Sequence, residues 1–353
     1  MIGDTTLKRA TLTIEEAVGL PLSHDLTLID AENKYKGAKF KRGHILQEDD
    51  LPVLRRMGRS YLSILELEPG DVHEDIAATR LARKFSSPSF SVTPPSEGRC
   101  NLKAEKDGLF ILDEQMVNKI NSDRDWVLST IANHSTVRKG ETVAAWRIGP
   151  LVMSESRVAK AEKVIEESNL KFRIAEFKPL KTALITTGSE ILKGEIRDAF
   201  HSKLPSKLKK FGAPIIFHTI VTDDKNEIIE AIKKSCEEGA EVVLCTGGMS
   251  IDADDLTPSA IYEISDVVIF KGTPVLPGSN LMLGKKNESN GEVYIFGVPA
   301  CAVHSDVTVL DTVMNRVYAG VPPVEDDIRK WGVGGLCRSC AKCSFPVCSY
   351  GSR

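Results

Sequence analysis

The sequence predicts an α/β fold whose second half forms a doubly wound, mostly parallel sheet. Short apolar runs alternate there with amphipathic stretches of helical length, which is the pattern of parallel strands joined by crossover helices. Glycine-containing turns follow the apolar runs, as at Thr246-Gly247-Gly248. A separate α+β region is expected before this half, and a cysteine-rich tail follows it at residues 321–353.

Residues 1–178 are predicted to form the α+β region. The Ser- and Pro-rich segment 86–98 is typical of a surface loop and is a candidate break between two subdomains. Residues 71–85 place apolar residues such as Ile76 at helical spacing and predict an amphipathic helix. The other predicted elements are strands at 25–30, 61–67, 109–112, 126–130 and 143–148, and helices at 47–58 and 155–168.

Residues 179–320 are predicted to be the α/β domain. Gly212 and Gly239 stand where two of its helices are expected to end. The predicted elements are strand 182–186, helix 198–210, strand 214–221, a helix opened by Asp223, strand 242–245, helix 258–264, strand 267–270, a hairpin within 271–289, strand 293–297 and helix 303–318. Residues 321–327 are expected to be a linker to the tail.

The charge of the chain is balanced. It has 46 basic and 49 acidic residues, a net charge of −3, and 42% hydrophobic residues. This balance gives no global field for nucleic acid or a membrane surface, so we expect small-molecule or protein partners and neither nucleic acid nor membrane. The N-terminal segment MIGDTTLKRATLTIEEAV carries charges where a signal peptide needs an apolar stretch. We therefore expect a cytoplasmic location.

Acidic residues follow three predicted strands of the second half. Glu190 comes after TTGS, Asp223 after strand HTIV, and Asp255 after Gly247-Gly248. The carboxyl ends of parallel strands meet at one edge of a sheet, where ligands bind. Three acids and a glycine loop at that edge would suit a divalent cation held against phosphate oxygens. The alternatives are a helix N-cap role for Asp223 and a polar loop role for Asp255.

Six short segments of the second half point to a known family. They are TTGSEI, GEIRD, VTDDKNEI, CTGGMSIDADDLTP, LPGSNLMLG and FGVPA, in this order. Together they resemble the molybdopterin-binding domain shared by molybdopterin adenylyltransferases and molybdopterin molybdenumtransferases. The resemblance covers about residues 178–320.

The resemblance implies roles for individual residues. Glu190, Asp223 and Asp255 would be catalytic, with Mg²⁺ held by the last two. Met249-Ser250 is closer to the loop of the transferases than to that of the adenylyltransferases. The residues that would bind the pterin cofactor are Gly188, Asp198, Thr246, Gly247, Gly248, Ser250, Gly278, Ser279 and Pro299.

Several positions depart from the pattern of the family. Ser189 stands where an aspartate is common, and Phe200 replaces an asparagine. Ser279 stands where the transferases have a lysine, and Ala300-Cys301 replaces a glycine and an asparagine. These departures favour a non-catalytic alternative.

The function that the resemblance implies is a step of molybdenum cofactor biosynthesis. The chain would bind molybdopterin or adenylylated molybdopterin and insert molybdate, with Mg²⁺-assisted release of AMP. Two alternatives stay open: a non-catalytic carrier or sensor of molybdopterin or the molybdenum cofactor, and a molybdopterin adenylyltransferase. The expected partners are the pterin, molybdate, further copies of the chain in a homo-oligomer, and a molybdoenzyme apoprotein.

The eight cysteines fall into two groups. Four are scattered and are expected to be buried thiols: Cys100, Cys236, Cys245 and Cys301. Four crowd into the tail with the spacing C-x2-C-x2-C-x4-C: Cys337, Cys340, Cys343 and Cys348. Four thiolates fit tetrahedral Zn²⁺ or an iron–sulfur cluster, and the spacing leaves that choice open. The alternative is a reduced cysteine-rich tail without a metal.

Overall fold

A computed structural model describes the protein at residues 9–30, 34–65, 68–195, 198–250, 252, 255–346, 348 and 350. Its chain divides into two compact units. The first unit comprises Met1–Glu105, Asp113–Ile131 and Gly140–Phe172, and the second comprises Lys106–Leu112, Ala132–Lys139 and Arg173–Arg353. Parts of five predicted features lie outside the described residues: 1–8 of the N-terminal segment, Glu66 and Leu67 of a strand, Ile196 and Arg197 of GEIRD, Ile251, Ala253 and Asp254 of the acidic loop, and 347, 349 and 351–353 of the cysteine-rich tail.

The first unit contains a four-stranded antiparallel sheet. The order of its strands is Phe90–Val92, Arg99–Ala104, Thr142–Ile148, Trp126–Thr130. Trp146 is buried in this sheet, and its Nε1 donates a hydrogen bond to the carbonyl of Ala78 at 3.0 Å. Because Ala78 belongs to the Glu74–Phe85 helix, this bond fixes the helix against the sheet.

The remaining elements of the first unit are short. Its other strands are Arg9–Thr13, Leu26–Asp30, Tyr35–Phe40, Tyr61–Leu65, Asp71–His73 and Val152–Ser154. Its other helices are Leu51–Arg56, Glu114–Asn121 and Glu155–Glu167, with a 3-10 turn at Glu48–Asp50. The strands predicted at 25–30, 126–130 and 143–148 and the helix predicted at 155–168 are thereby confirmed.

Two predictions for the first unit are wrong in detail. The helix predicted at 71–85 begins only at Glu74, because Asp71–His73 pairs as a strand with Val152–Ser154. The loop predicted at 86–98 contains the strand Phe90–Val92, which pairs with the following strand of the sheet. Asp71–His73 depends on a partner that is distant in sequence, and both strands have only three residues, too few to leave a periodic pattern.

The second unit contains a six-stranded, mostly parallel sheet. The order of its strands is Ile215–Val221, Thr182–Thr187, Val242–Thr246, Gly291–Val298, Met282–Glu288, Val267–Lys271. The first four are parallel to one another, and the last two run antiparallel to their neighbours. A smaller antiparallel sheet is formed by Thr136–Val137, Gly108–Ile111 and Arg173–Ala175.

Helices cover both faces of the six-stranded sheet. Leu184 and Leu244 pack with residues of the helices Phe200–Leu208 and Val309–Tyr318. Ile185 and Cys245, on the opposite face, pack with residues of Lys225–Glu237 and Thr257–Ile264. The remaining helices are Ser189–Leu192, Cys301–His304 and Glu325–Lys330, with a 3-10 turn at Lys209–Phe211. The predicted mixed α/β fold with a mostly parallel sheet is confirmed, while the predicted domain boundaries stay predictions.

Three details of the second unit correct the sequence analysis. Asp224, and not Asp223, caps the Lys225–Glu237 helix, since its side chain accepts hydrogen bonds from two N–H groups of the first turn. The helix predicted at 303–318 is broken between His304 and Val309. The segment predicted as a linker runs into the Glu325–Lys330 helix. No helix in the described part of the chain has the length and apolar character that a membrane crossing requires.

Candidate functional site

The turn after the Val242–Thr246 strand requires glycine at two positions. Gly247 and Gly248 have φ angles of +86° and +54°, in the left-handed region that glycine tolerates best. A Cβ on Gly247 would lie 2.3 Å from the carbonyl oxygen of Thr187, so the two strand ends approach too closely for a side chain. Turns of this kind present backbone N–H groups to anions.

A cavity of about 410 Å³ lies against this turn. We call it the sheet-edge cavity. Its walls come from loops that follow several strands of the sheet, and seven residues predicted to act in binding or catalysis line it: Gly247, Gly248, Ser250, Asp255, Gly278, Ser279 and Pro299. Segments that are far apart in the sequence therefore meet at one carboxyl edge, as the parallel topology requires.

Asp255 is the predicted acid that lines this cavity. Its side chain is half-buried, and its Oδ2 accepts a hydrogen bond from the backbone N–H of Asp252 at 3.1 Å. A Cβ on Gly248 would stand 3.7 Å from its Oδ1, so the carboxylate lies beside the glycine turn. A negative group and a candidate anion-binding turn thus share one wall, an arrangement that suits a cation between them.

The other two predicted acids lie outside the cavity lining. Oδ2 of Asp223 accepts hydrogen bonds from the backbone N–H and the hydroxyl of Ser189, at 3.0 and 3.2 Å. It therefore holds the start of the Ser189–Leu192 helix next to the buried Gly188. Glu190 is exposed on the first turn of that helix. The described residues contain no group of three or more His, Cys, Asp or Glu that could hold a metal ion.

Asp198 and Thr246 support the cavity from behind. Oδ2 of Asp198 accepts a hydrogen bond from the Thr186 hydroxyl at 2.8 Å, and its Oδ1 accepts one from the backbone N–H of Phe200. The buried Thr246 hydroxyl donates to that of Thr186 at 3.3 Å. This chain of contacts positions Phe200, which lines the cavity. Both predicted residues thus contact the strand ends.

The opposite wall is the loop that contains Gly278. A Cβ on this residue, at a φ of +121°, would stand 2.4 Å from Cγ1 of Val309. Thr273 holds the loop closed, because its N–H donates to the carbonyl of Ser279 at 2.8 Å. None of the described residues that line the cavity is lysine or arginine. An anion would therefore be bound there by backbone N–H groups, by the side-chain donors of Ser250, Ser279 and Asn280, or by an added cation.

Sequence reasoning missed two polar groups at this site. The Thr187 hydroxyl is buried beside Gly247, and no hydrogen-bond partner for it exists among the described residues. A buried donor of this kind is usually satisfied, but Thr187 does not line the cavity. Cys301 was predicted to be a buried thiol, but it is only half-buried and lines the cavity. Partial burial still raises the pKa of its thiol.

The cysteine tail is attached to the Gly278 loop. The N–H of Leu276 donates to the carbonyl of Gly335 at 2.8 Å, and the N–H of Cys337 donates back to the carbonyl of Leu276. The Tyr350 hydroxyl donates to the carbonyl of Pro277 at 2.8 Å. A cavity of about 230 Å³, the cysteine cavity, is lined by these segments and by all four tail cysteines: Cys337, Cys340, Cys343 and Cys348. Pro277 also lines the sheet-edge cavity.

Two family models match the sequence. Residues 183–318 match a family described as "Probable molybdopterin binding domain". Residues 11–66 match a second model, described as a domain of unknown function. The first match confirms the resemblance that the six sequence segments predict.

Related proteins share parts of the chain. "Putative molybdopterin biosynthesis protein MJ0666" of Methanocaldococcus jannaschii is 25% identical over 201 residues, which are 53% of this chain and 49% of that protein. A "CinA-like protein" of Amoebophilus asiaticus is 28% identical over 87 residues, 25% of this chain and 21% of that protein. The chain thus spans at most about half of these relatives.

Among solved structures, the tungsten cofactor synthesizing protein MoaB from Pyrococcus furiosus is similar to part of the chain. The identity is 24% and the TM-score is 0.35, with coverage of 40% of this chain and 94% of that chain.

Proposed function

We propose that the chain binds molybdopterin or its adenylylated form in the sheet-edge cavity, because residues 183–318 match the family model described as "Probable molybdopterin binding domain". The reaction would be insertion of molybdate with release of AMP. One observation carries the proposal: three separate loops of the matched segment, which contain Gly247 and Asp255, Gly278, and Pro299, line a single cavity.

The Gly247-Gly248 turn would hold the phosphates of the ligand. Backbone N–H groups in such a turn act as fixed donors, and fixed donors stabilise charge that grows on phosphate oxygens during bond cleavage.

Asp255 is our candidate Mg²⁺ ligand. Mg²⁺ keeps several waters and needs only one or two carboxylates, so a single acid in the cavity wall fits this ion. When bound, the ion supplies Lewis-acid polarisation of the phosphoanhydride. Asp223 is the second candidate ligand, and its Oδ1 could take that role because both hydrogen bonds from Ser189 are accepted by Oδ2. The catalytic role of Glu190 stays a prediction.

The assay for this function is AMP release from adenylylated molybdopterin in the presence of molybdate and Mg²⁺. We expect release by the wild type and a loss of at least about a hundredfold in Asp255→Asn. Asp252→Asn is the matched control, because Asp252 is exposed in the same loop and does not line the cavity. A wild type that releases no AMP would overturn the transferase proposal.

A non-catalytic carrier or sensor is the second candidate function. It is favoured by the lining of the cavity, which has no lysine or arginine among its described residues and has Ser279 where the transferases have a lysine. Tight binding of the finished cofactor without AMP release would support it. An adenylyltransferase is a third candidate, and exchange of pyrophosphate into ATP is the reaction that tests it.

We further propose that the four tail cysteines bind Zn²⁺ or an iron–sulfur cluster as thiolates. The support is that all four line one cavity and that Cys340 and Cys343 are exposed. The described residues do not form a ligand cluster there, so metal binding would have to draw the thiolates together. Metal analysis and an absorption spectrum of anaerobically purified protein distinguish the two metals. Protein that holds neither zinc nor iron, and whose Cys340→Ser variant is unchanged, would contradict this proposal.

The location, the oligomeric state and the protein partner of the chain are also proposals. We propose a cytoplasmic homo-oligomer that passes its product to a molybdoenzyme apoprotein. Light scattering on the purified chain measures the oligomeric state, and a monomer at micromolar concentration would contradict that part of the proposal.

A further inference from the structure

The first unit contains a separate cleft of about 880 Å³, more than twice the volume of the sheet-edge cavity. We call it the Glu74 cleft. Its walls are the strands around Thr27 and Lys36, the segment 93–101, and the end of the strand that carries Arg147. Clefts of this size hold small organic ligands. Neither family model covers the segment from Glu74 to Arg147, so the matches assign this cleft no role.

Glu74 is the buried polar group of this cleft. It is the first residue of the Glu74–Phe85 helix, its exposed fraction is 4%, and it lines the cleft. Among the described residues, none makes a hydrogen bond or an ion pair with its carboxylate. The Glu74 side chain is mostly buried but lines the cleft, so water or a donor on a ligand can reach its carboxylate.

The neighbours of Glu74 hold it at this position. Nε2 of His73 donates to the carbonyl of Ser23 at 2.9 Å, and Nδ1 accepts from the N–H of Asp75 at 3.2 Å. Oδ1 of Asp75 accepts a hydrogen bond from the N–H of Gly98 at 2.9 Å. A Cβ on Gly98 would stand 2.7 Å from Oε2 of Glu74, so glycine makes room for the carboxylate. Glu74 is therefore fixed from both sides.

The titration of Glu74 agrees with this geometry. Burial, followed by the nearby charge of Asp75, raises the pKa of the Glu74 carboxyl to about 7. Arg147 acts in the opposite direction, and Glu97 and Arg42 contribute less. The group is thus poised between its neutral and ionised forms near neutral pH, and a ligand donor would favour the ionised form.

The rim of the cleft is positively charged. Four exposed cations line it: Lys36, Arg59, Arg99 and Arg147. Two other acids of the cleft already accept hydrogen bonds, since Asp25 accepts one from the N–H of Arg42 at 2.8 Å and Glu97 accepts one from the Thr27 hydroxyl. Asp25 and Glu97 keep their negative charges, so the described lining holds four cations against three acids. The cations are the groups that would contact an anionic part of a ligand, and Glu74 would accept from a hydrogen-bond donor.

We propose that the Glu74 cleft binds a small organic anion that carries an N–H donor edge, such as a guanine nucleotide or an anionic pterin. Both compounds contain the 2-amino-4-oxopyrimidine edge, whose two adjacent N–H groups match the two oxygens of a carboxylate. Glu74 would accept from this edge, and the phosphate or carboxylate of the ligand would face Arg147 and Arg99. We do not expect a metal ion in this cleft, because no three His, Cys, Asp or Glu side chains of the described residues are grouped as candidate ligands.

The test is titration calorimetry on the full chain with four probes. They are guanosine monophosphate, inosine monophosphate, which lacks the 2-amino group, pterin-6-carboxylate and inorganic phosphate. We expect guanosine monophosphate, pterin-6-carboxylate or both to bind at least about tenfold more tightly than inosine monophosphate and phosphate. Binding of guanosine monophosphate would identify the ligand as a nucleotide, and binding of pterin-6-carboxylate would identify it as a pterin.

Three variants locate the binding. Glu74→Gln should lower the affinity for the preferred probe to the level of inosine monophosphate. Arg147→Ala should lower the affinity for all anionic probes about tenfold. Lys103→Ala is the matched control, because it removes an exposed cation on the Arg99–Ala104 strand outside the cleft. Asp255→Asn should have no effect on this binding, which separates the inference from the proposed function. Absence of binding by all probes, or equal binding by wild type and Glu74→Gln, would overturn the proposal.

Discussion

The sheet-edge cavity and the Glu74 cleft are built by different means. In the first, glycines at Gly247 and Gly278 bring the backbone to the cavity, and none of its described lining residues is lysine or arginine. In the second, a buried carboxyl and four exposed cations provide the recognition. A site formed by the backbone depends on glycines that can be recognised as a motif in the sequence. A site formed by side chains combines residues from distant segments and shows no motif.

The largest effect is expected from Gly247→Ala. The new Cβ would lie 2.3 Å from the Thr187 carbonyl oxygen at a φ of +86°, so the turn must open. We expect loss of pterin binding and a decrease of about 3 kcal/mol in the free energy of unfolding, measured by denaturant titration.

Gly194→Ala is the control for this prediction. Gly194 also has a positive φ, +77°, but no atom lies within 4 Å of its Cβ position. The free energy of unfolding of Gly194→Ala should fall by only about 1 kcal/mol, and pterin binding should be kept. Equal behaviour of the two variants would show that the close approach at Gly247 has no role in the site.

Glu74 is expected to make the free energy of unfolding depend on pH. Burial raises the pKa of Glu74 to about 7, whereas in the unfolded chain its pKa is near the ordinary glutamate value of 4.5. Between these values the unfolded state loses its proton first, so the free energy of unfolding falls as pH rises, by at most about 3 kcal/mol.

Glu74→Gln should remove this contribution. The variant should be more stable than the wild type at pH 8 and similar to it at pH 4, as measured by urea unfolding at a series of pH values. A wild type and variant with parallel pH profiles would mean that the Glu74 carboxyl has a partner and an ordinary pKa.

A smaller effect is expected from Tyr350→Phe. This change removes the 2.8 Å hydrogen bond that ties the tail to the Pro277 carbonyl, with an expected loss of about 1 kcal/mol. The tail should detach more often, so the four tail cysteines should react faster with a thiol reagent. Tyr262→Phe is the control, because Tyr262 is exposed. Unchanged thiol reactivity in Tyr350→Phe would mean that the tail does not depend on this contact.

Sequence patterns could predict the sheet of the second unit and the position of its cavity. Parallel strands leave apolar runs, and a glycine turn at Gly247-Gly248 is visible because no other residue suits its backbone. Topology then brings Glu190, Asp223 and Asp255 to one edge of the sheet. Which of these acids lines the cavity depends on local hydrogen bonds, such as that from Ser189 to Asp223, and no periodicity reports them.

The Glu74 cleft could not be predicted in this way. A glutamate at the start of a helix is usually exposed, and the helical pattern of residues 71–85 gives greater weight to apolar residues such as Ile76, which is 47% exposed. Burial of Glu74 results from the closeness of Gly98 and of strands that are remote in sequence. Such a site becomes visible only when the tertiary fold is known.

The most direct measurement of the central claim is hydrogen exchange of the full chain with and without adenylylated molybdopterin. We predict that bound ligand slows exchange of the amides at 246–250 and 276–281, which line or flank the sheet-edge cavity. It predicts the same slowing in Glu74→Gln, whose change lies in the other unit. Unchanged exchange at 246–250 and 276–281 under saturating ligand would contradict the assignment of the pterin to this cavity.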